Sequence, residues 1–200
     1  CNWWKPKFWR LTFNENQVTE IKGQWDNKRF TAFNMPMRPM KKDGEQVYIV
    51  APSQNGFDIY DLPIKVDDWI EQTVTEVKKY TDRPIKIRRK VPKKARGSRG
   101  FCDTLDNIYC VISLHTMAVT EVLREGIPVI SMHPGVLKNY SSNKISQINN
   151  LYYPSDTERG KLFNCLTNIQ FTNQELVDGE ALETMLSLIH ISEPTRPLGI

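Results

Sequence analysis

The sequence predicts an α/β fold: a Rossmann-like parallel sheet with helices on both faces. Three observations carry this. Short apolar, β-branched runs recur along the chain: VYIVAPS at 47–53, IKIRR at 85–89, NIYCVIS at 107–113 and IPVISM at 127–132. Segments with helical periodicity follow the first and third of them. Runs that are apolar at nearly every position suit strands covered on both faces, which is the condition of parallel strands joined by crossover helices.

Each element has a local reason. The strand over 47–51 stops at Pro52, and QNGFDIYDLPIKV reads as loop because Asn55–Gly56 and Pro63 are turn and breaker signals. Asp68 is placed to cap a helix over 68–81, with Glu71 in the capping-box position. Ile70, Val74, Val77 and Tyr80 then share one face. Arg83–Pro84 ends that helix, and 85–89 is the next strand. A strand over 108–112 leads into a helix over 116–125, with Ala118, Val119, Val122 and Leu123 inward and Gly126 as its stop. The strand 128–131 follows. Residues 155–185 read as helical and packed back on the sheet, with Leu162, Phe163, Leu166 and Ile169 at helical spacing and Thr172 as a cap.

The expected domains are three. Residues 47–185 form the Rossmann-like unit. Residues 1–46 open in an aromatic run, CNWWKPKFWRLTF, and pass through NMPMRPMKKDG; they are expected to be the C-terminal remnant of an upstream domain plus a linker. The last fifteen residues, LSLIHISEPTRPLGI, resemble translated sequencing-adapter read-through, so 186–200 are expected to be an artefactual disordered tail.

Composition excludes several classes. The chain is 40% hydrophobic and 25% charged over 200 residues, which suits an ordinary globular protein. It has no uninterrupted apolar stretch of the ~18 residues that a membrane span needs. The four cysteines form no CxxC pair, which argues for a reducing, cytoplasmic setting and against a structural zinc knot. Three histidines without an HExxH pattern leave no metal site to propose. Charge is concentrated: KIRRKVPKKARGSR (86–99) holds eight basic residues in fourteen, so a chain of net charge +4 is otherwise a mildly acidic body. Such a patch suits a phosphate-bearing ligand or nucleic acid. Arg88, Arg89 and Lys90 alternate along a strand end, so at least one of them faces solvent.

Neither GxGxxG nor GxxxxGK[ST] is present, which removes the usual phosphate cradles of dinucleotide oxidoreductases and P-loop NTPases. In parallel sheets, ligands bind beyond the carboxyl ends of the strands. Those ends offer Pro52–Ser53–Gln54, Arg89–Lys90, Ser113–Leu114–His115–Thr116 and Met132–His133–Pro134–Gly135. Hydroxyls, a cationic pair, an imidazole and helix-opening amides suit a negatively charged nucleotide.

The segment CVISLHTMAVTEVLREGIPVI resembles the C-terminal donor-binding part of GT-B glycosyltransferases, through Ser113, His115, Thr116, Ala118, Val119, Glu121, Gly126, Pro128 and Val129. The wider layout, FWRLTFN…VYIVAPS…YTDRPIKIRRK…TEVLREGIPV…QFTNQELVDGEA, is similar to glycosyltransferase-like proteins of tailed bacteriophages and prophages, over about residues 8–185. The resemblance implies one half of a GT-B arrangement that binds a nucleotide-diphosphate sugar as substrate, without a further cofactor, in the host cytoplasm. By the same resemblance Glu121 takes the ribose hydroxyls, Arg89 or Lys90 the diphosphate, and the turn at His115–Thr116 the base or phosphate; Ser53 and Ser113 complete the donor-binding set. The turn departs from the phage-type pattern, which favours serines where this chain has Leu114, His115 and Met117. The catalytic base and acceptor belong to the other half, so no catalytic residue is named. The resemblance leaves the acceptor open, a modified DNA base, a glycan and a protein all being compatible with it. Two alternatives stand beside this reading: a non-catalytic nucleic-acid-binding module using 86–99, and a nucleotide-sugar epimerase-like or degenerate relative.

Overall fold

A computed structural model describes residues 8–11, 27–34, 36–59, 62–90, 101, 104–114, 118–133 and 135–192. The chain divides into two compact units. One runs from Pro36 to Arg159; in the other, residues from 2–35 join residues from 160 onward. The division falls at 159/160, inside a helix of the stretch 155–185 that the sequence reading attaches to the sheet.

The first unit is built on a four-stranded, wholly parallel sheet: β2 (Gln46–Val50), β3 (Ile85–Arg88), β4 (Ile108–Ser113) and β5 (Val129–Ser131), in the order β3-β2-β4-β5. The predicted fold class and strands are all present. Val47 pairs with Ile85 and Cys110, and Val111 with Val129. On one face Val47, Ile49, Cys110, Ile112 and Ile130 share a core with Trp69, Ile70 and Val77 of α3 (Val66–Val77). Helix α4 (Ala118–Arg124) packs on β4 and β5.

Helix α3 begins two residues before the expected cap. Lys65 stands at its N-cap without a side-chain cap bond, and the Val66 N–H instead donates to Gln54 Oε1 at 3.1 Å. Asp67 and Asp68 therefore lie in the first turn, where carboxylates complement the helix dipole. Tyr80, expected on the inward face, lies beyond the helix and is exposed, its hydroxyl donating to Glu76. The expected loop after Pro52 contains a helix, α2 (Gln54–Ile59). Its Phe57 is fully buried against Trp69, the rings edge to face with centroids 6.0 Å apart. One aromatic anchor and the Gln54–Asp58 side-chain bond override the Asn55–Gly56 turn signal.

Gly126 closes α4 at φ +78°, as its stop position requires. The segment 36–41 runs along this helix end: Arg38 N–H donates to Arg124 O at 2.8 Å and Lys41 N–H to Gly126 O at 2.6 Å. The fully buried Arg159 adds bonds from one guanidinium nitrogen to Arg38 O and Leu123 O, at 2.8 and 2.7 Å.

In the second unit, β1 (Trp9–Arg10) pairs antiparallel with β6 (Gln170–Phe171). The helix α5 (Asp156–Asn168) enters this unit from the first and buries Leu162, Phe163 and Leu166. Thr172 caps α6 (Asn173–Val177), with Glu175 completing the capping box. Gly179 at φ +85° then separates α6 from α7 (Glu180–Ser192). Residues 186–192 are thus helical where a disordered tail was expected, the apolar LSLIHIS run continuing a helix already nucleated at Glu180. Arg29 of α1 (Lys28–Ala32) lies over the Phe171 ring and pairs with Glu175.

Candidate functional site

The strand order sets the location. After β2 the chain adds β3 on one side, then returns to add β4 and β5 on the other. The crevice outside the carboxyl ends of β2 and β4 is therefore the switch point, where open α/β sheets take their ligands. Ser53, Arg89 and Ser113 all follow or end strands at this edge, and α4 departs from it. His115 and Thr116 lie outside the described residues.

The two serines differ. Ser113 is buried, and its hydroxyl donates to Val50 O at 2.9 Å, across the switch point itself. That bond holds β4 against β2 at the last residue of each strand, where Val50 stands opposite Ser113. Ser53 is half-buried, with its carbonyl accepting from Gly56 N–H at 2.8 Å.

The cationic residues also separate. The Arg89 guanidinium pairs with Asp67 at the start of α3, and both side chains are largely exposed (58% and 71%). Arg89 thus shares its charge with an aspartate on a helix end that also carries Asp68, a setting less hospitable to a diphosphate than the sequence suggests. Lys90 is exposed. Arg88, which the sequence reading passed over as a ligand, is half-buried, stacks 4.3 Å from the Phe101 ring centroid, and keeps one buried guanidinium nitrogen without a hydrogen-bond partner. Lys86 lies 5.0 Å from the Tyr48 ring and donates to Thr104 O at 3.1 Å. Of the four described basic residues of 86–99, three hold aromatic or acidic partners. Lys86 and Arg88 share one face of β3, while Arg89 turns to Asp67.

Glu121 belongs to the first turn of α4. Val119, Thr120, Val122, Leu123 and Arg124 around it are buried, so Ala118 and Glu121 are what this short helix leaves partly open. Arg124 pairs with Glu125 at 2.7 Å. After β5, the His133 N–H donates to Leu114 O at 3.1 Å and Met132 N–H to Ser113 O at 2.9 Å, continuing the ladder past the strand ends. This brings the half-buried His133 beside the same edge; the sequence signal for it was its place in the fourth strand-end loop.

Two ionisable groups elsewhere are strongly perturbed. Burial pushes the Cys110 thiol up to about 12, which makes it an inert core residue. The bond from Arg29 pulls the Glu175 carboxyl down to about 2, helped by Thr172. Among the described residues no cluster of three metal-ligating side chains occurs, and no helix is long and apolar enough to cross a membrane. Comparison with protein-family models, curated proteins and solved structures found no match.

Proposed function

We propose that this chain is the donor-binding half of a glycosyltransferase-like protein of phage type, holding a nucleotide-diphosphate sugar at the carboxyl edge of the β3-β2-β4-β5 sheet. The observation that carries the reading is the run from β4 through α4 to β5. The segment whose residues resemble the GT-B donor site folds as strand, helix and parallel strand, and Glu121 is the partly open carboxylate of a helix buried at all but Ala118 and Glu121. Two carboxylate oxygens accepting from a vicinal diol is chemistry that suits a ribose. The diphosphate belongs on the α4 side of the crevice, away from Asp67 and Asp68. Transfer proceeds by direct displacement: the acceptor oxygen bonds to the anomeric carbon as the bond to the nucleoside diphosphate breaks, and the acceptor's proton passes to a base of the other half. Charge develops on the departing diphosphate, so hydrogen-bond donors directed at it are what speed the step.

The test is calorimetric titration of the chain with uridine and guanosine diphosphate sugars. Glu121→Ala should weaken binding by roughly 1–3 kcal/mol, the scale of a lost charged hydrogen bond. Glu71→Ala, an exposed carboxylate on α3, is the control and should bind as the parent does. Arg124, on the same helix, is buried and paired with Glu125 and so is a poor control. Equal effects of Glu121→Ala and Glu71→Ala, or no binding of any diphosphate sugar, refute the reading.

A further inference from the structure

The outer side of β3 is open. In a parallel pair, alternate residues turn both their N–H and C=O toward the same neighbour. The Pro84 carbonyl accepts from Val47 N–H at 2.9 Å and the Arg88 carbonyl from Ala51 N–H at 3.0 Å. Pro84, Lys86 and Arg88 therefore address β2, while the backbone groups of Ile85 and Ile87 point outward. No second strand among the described residues takes them, because β3 ends the sheet. Ile87 is 45% exposed. Beside this edge lies a groove of about 510 Å³ lined by Val74 of α3, Lys78 at its C-cap, the segment Thr81–Pro84, Ile85 and Ile87. A strand edge with free backbone groups, facing a helix across an apolar floor, is the geometry to which extended peptides add as a further strand.

Charge selects the occupant. Lys78 stands at the groove with Asp82, and the strand itself carries Lys86 and Arg88, with the exposed Lys90 after its end. Arg89 is paired with Asp67, and Arg83 is stacked on Tyr109 and bonded to Gly44 O, so the surplus positive charge is that of the strand. A second copy of β3 would set IKIRRK against itself, and like charges on an edge are a known guard against such self-pairing. An acidic strand meets the opposite condition. We propose that the groove between β3 and α3 is a docking site for an extended, acidic segment of a partner protein, which adds as one more strand beside β3.

A fluorescent peptide of alternating valine and glutamate, titrated with the whole chain and read by anisotropy, tests this. It should bind at least about tenfold more tightly than its valine–lysine counterpart, and Lys78→Glu should cost about tenfold. Ile87→Pro removes an outward N–H while sparing the amides that face β2, and it should abolish binding. Melting curves check that both variants fold; should Ile87→Pro unfold, Lys78→Glu and Ile87→Glu decide. Unaltered binding by the folded variants, a preference for the lysine peptide, or no binding by the parent chain overturns the proposal. So does concentration-dependent self-association that the β3 variant abolishes, since the occupant is then a second copy.

Discussion

Replacing Gly126 with alanine should be among the most damaging single-methyl changes in this molecule, and the structure says why. Gly126 sits at φ +78°, where a side chain costs about 1–3 kcal/mol in backbone strain. The added Cβ would also fall 2.0 Å from Pro39 O and 2.8 Å from Pro39 C, both backbone atoms that cannot rotate away. Relief requires the segment 36–41 to lift off the end of α4. That breaks the bonds Arg38 N–H to Arg124 O and Lys41 N–H to Gly126 O, each worth about 1 kcal/mol net. The sum is about 3–5 kcal/mol, a large share of the 5–15 kcal/mol typical of a domain. At this length it corresponds to a fall in melting temperature of roughly 6–20 °C. Gly160→Ala is the internal comparison: Gly160 lies within α5, its added Cβ meets nothing within 4 Å, and the change should stabilise by about 0.5–1 kcal/mol. Urea denaturation followed by far-UV circular dichroism measures both. A Gly126→Ala loss under about 1 kcal/mol, or the same sign for the two variants, would refute the close-approach argument.

Phe57→Ala should cost about 3–5 kcal/mol, since it empties a fully buried site against Trp69; a loss below 1 kcal/mol in the same denaturation assay would place Phe57 outside the core. Glu175 has its folded pKa lowered from 4.5 to about 2, so its contribution to stability is complete above about 4.5 and is lost as pH falls toward 2. Glu175→Gln should therefore flatten the acid limb of the stability–pH curve, and an unchanged limb would show that Arg29 does not act through this carboxylate. Cys110 should resist iodoacetamide at pH 8 in the folded chain and react only in denaturant, as peptide mass spectrometry would show.

The sheet was legible in the sequence because parallel strands buried on both faces leave an apolar signature that does not depend on tertiary detail. Runs 47–51, 85–89, 108–112 and 128–131 each match a strand to within one residue at either end. Gly126 and Thr172 were legible for the same kind of reason: a helix stop needs a left-handed residue, and a cap needs a short hydroxyl. What escaped were features settled by a distant partner. Gln54 supplies a bond to the first amide of α3 from twelve residues away, which let the helix begin before Asp68. Phe57 makes a helix of a sequence whose local signals are turn signals.

The candidate site shows the same limit more sharply, because residue type does not tell which partner claims a polar group. Ser113 sits where a donor ligand was expected, yet its hydroxyl bonds Val50 O across the switch point. The period of two along β3 decides the fate of the basic pair. Arg88 shares its sheet face with Lys86 and Tyr48, so its guanidinium meets the Phe101 ring; Arg89 falls on the next position, beyond the strand, and reaches Asp67. Only the parity of the register separates a stacked arginine from a paired one, and that parity follows from Val50 standing opposite Arg88. A phosphate arriving near Arg89 must compete with Asp67, while the α4 side carries a carboxylate of its own, Glu121, and a backbone ladder already closed by His133 N–H to Leu114 O. The described residues of the edge thus differ from side to side: at α3 the Arg89 charge is shared with Asp67, and on α4 Glu121 is the partly open acid.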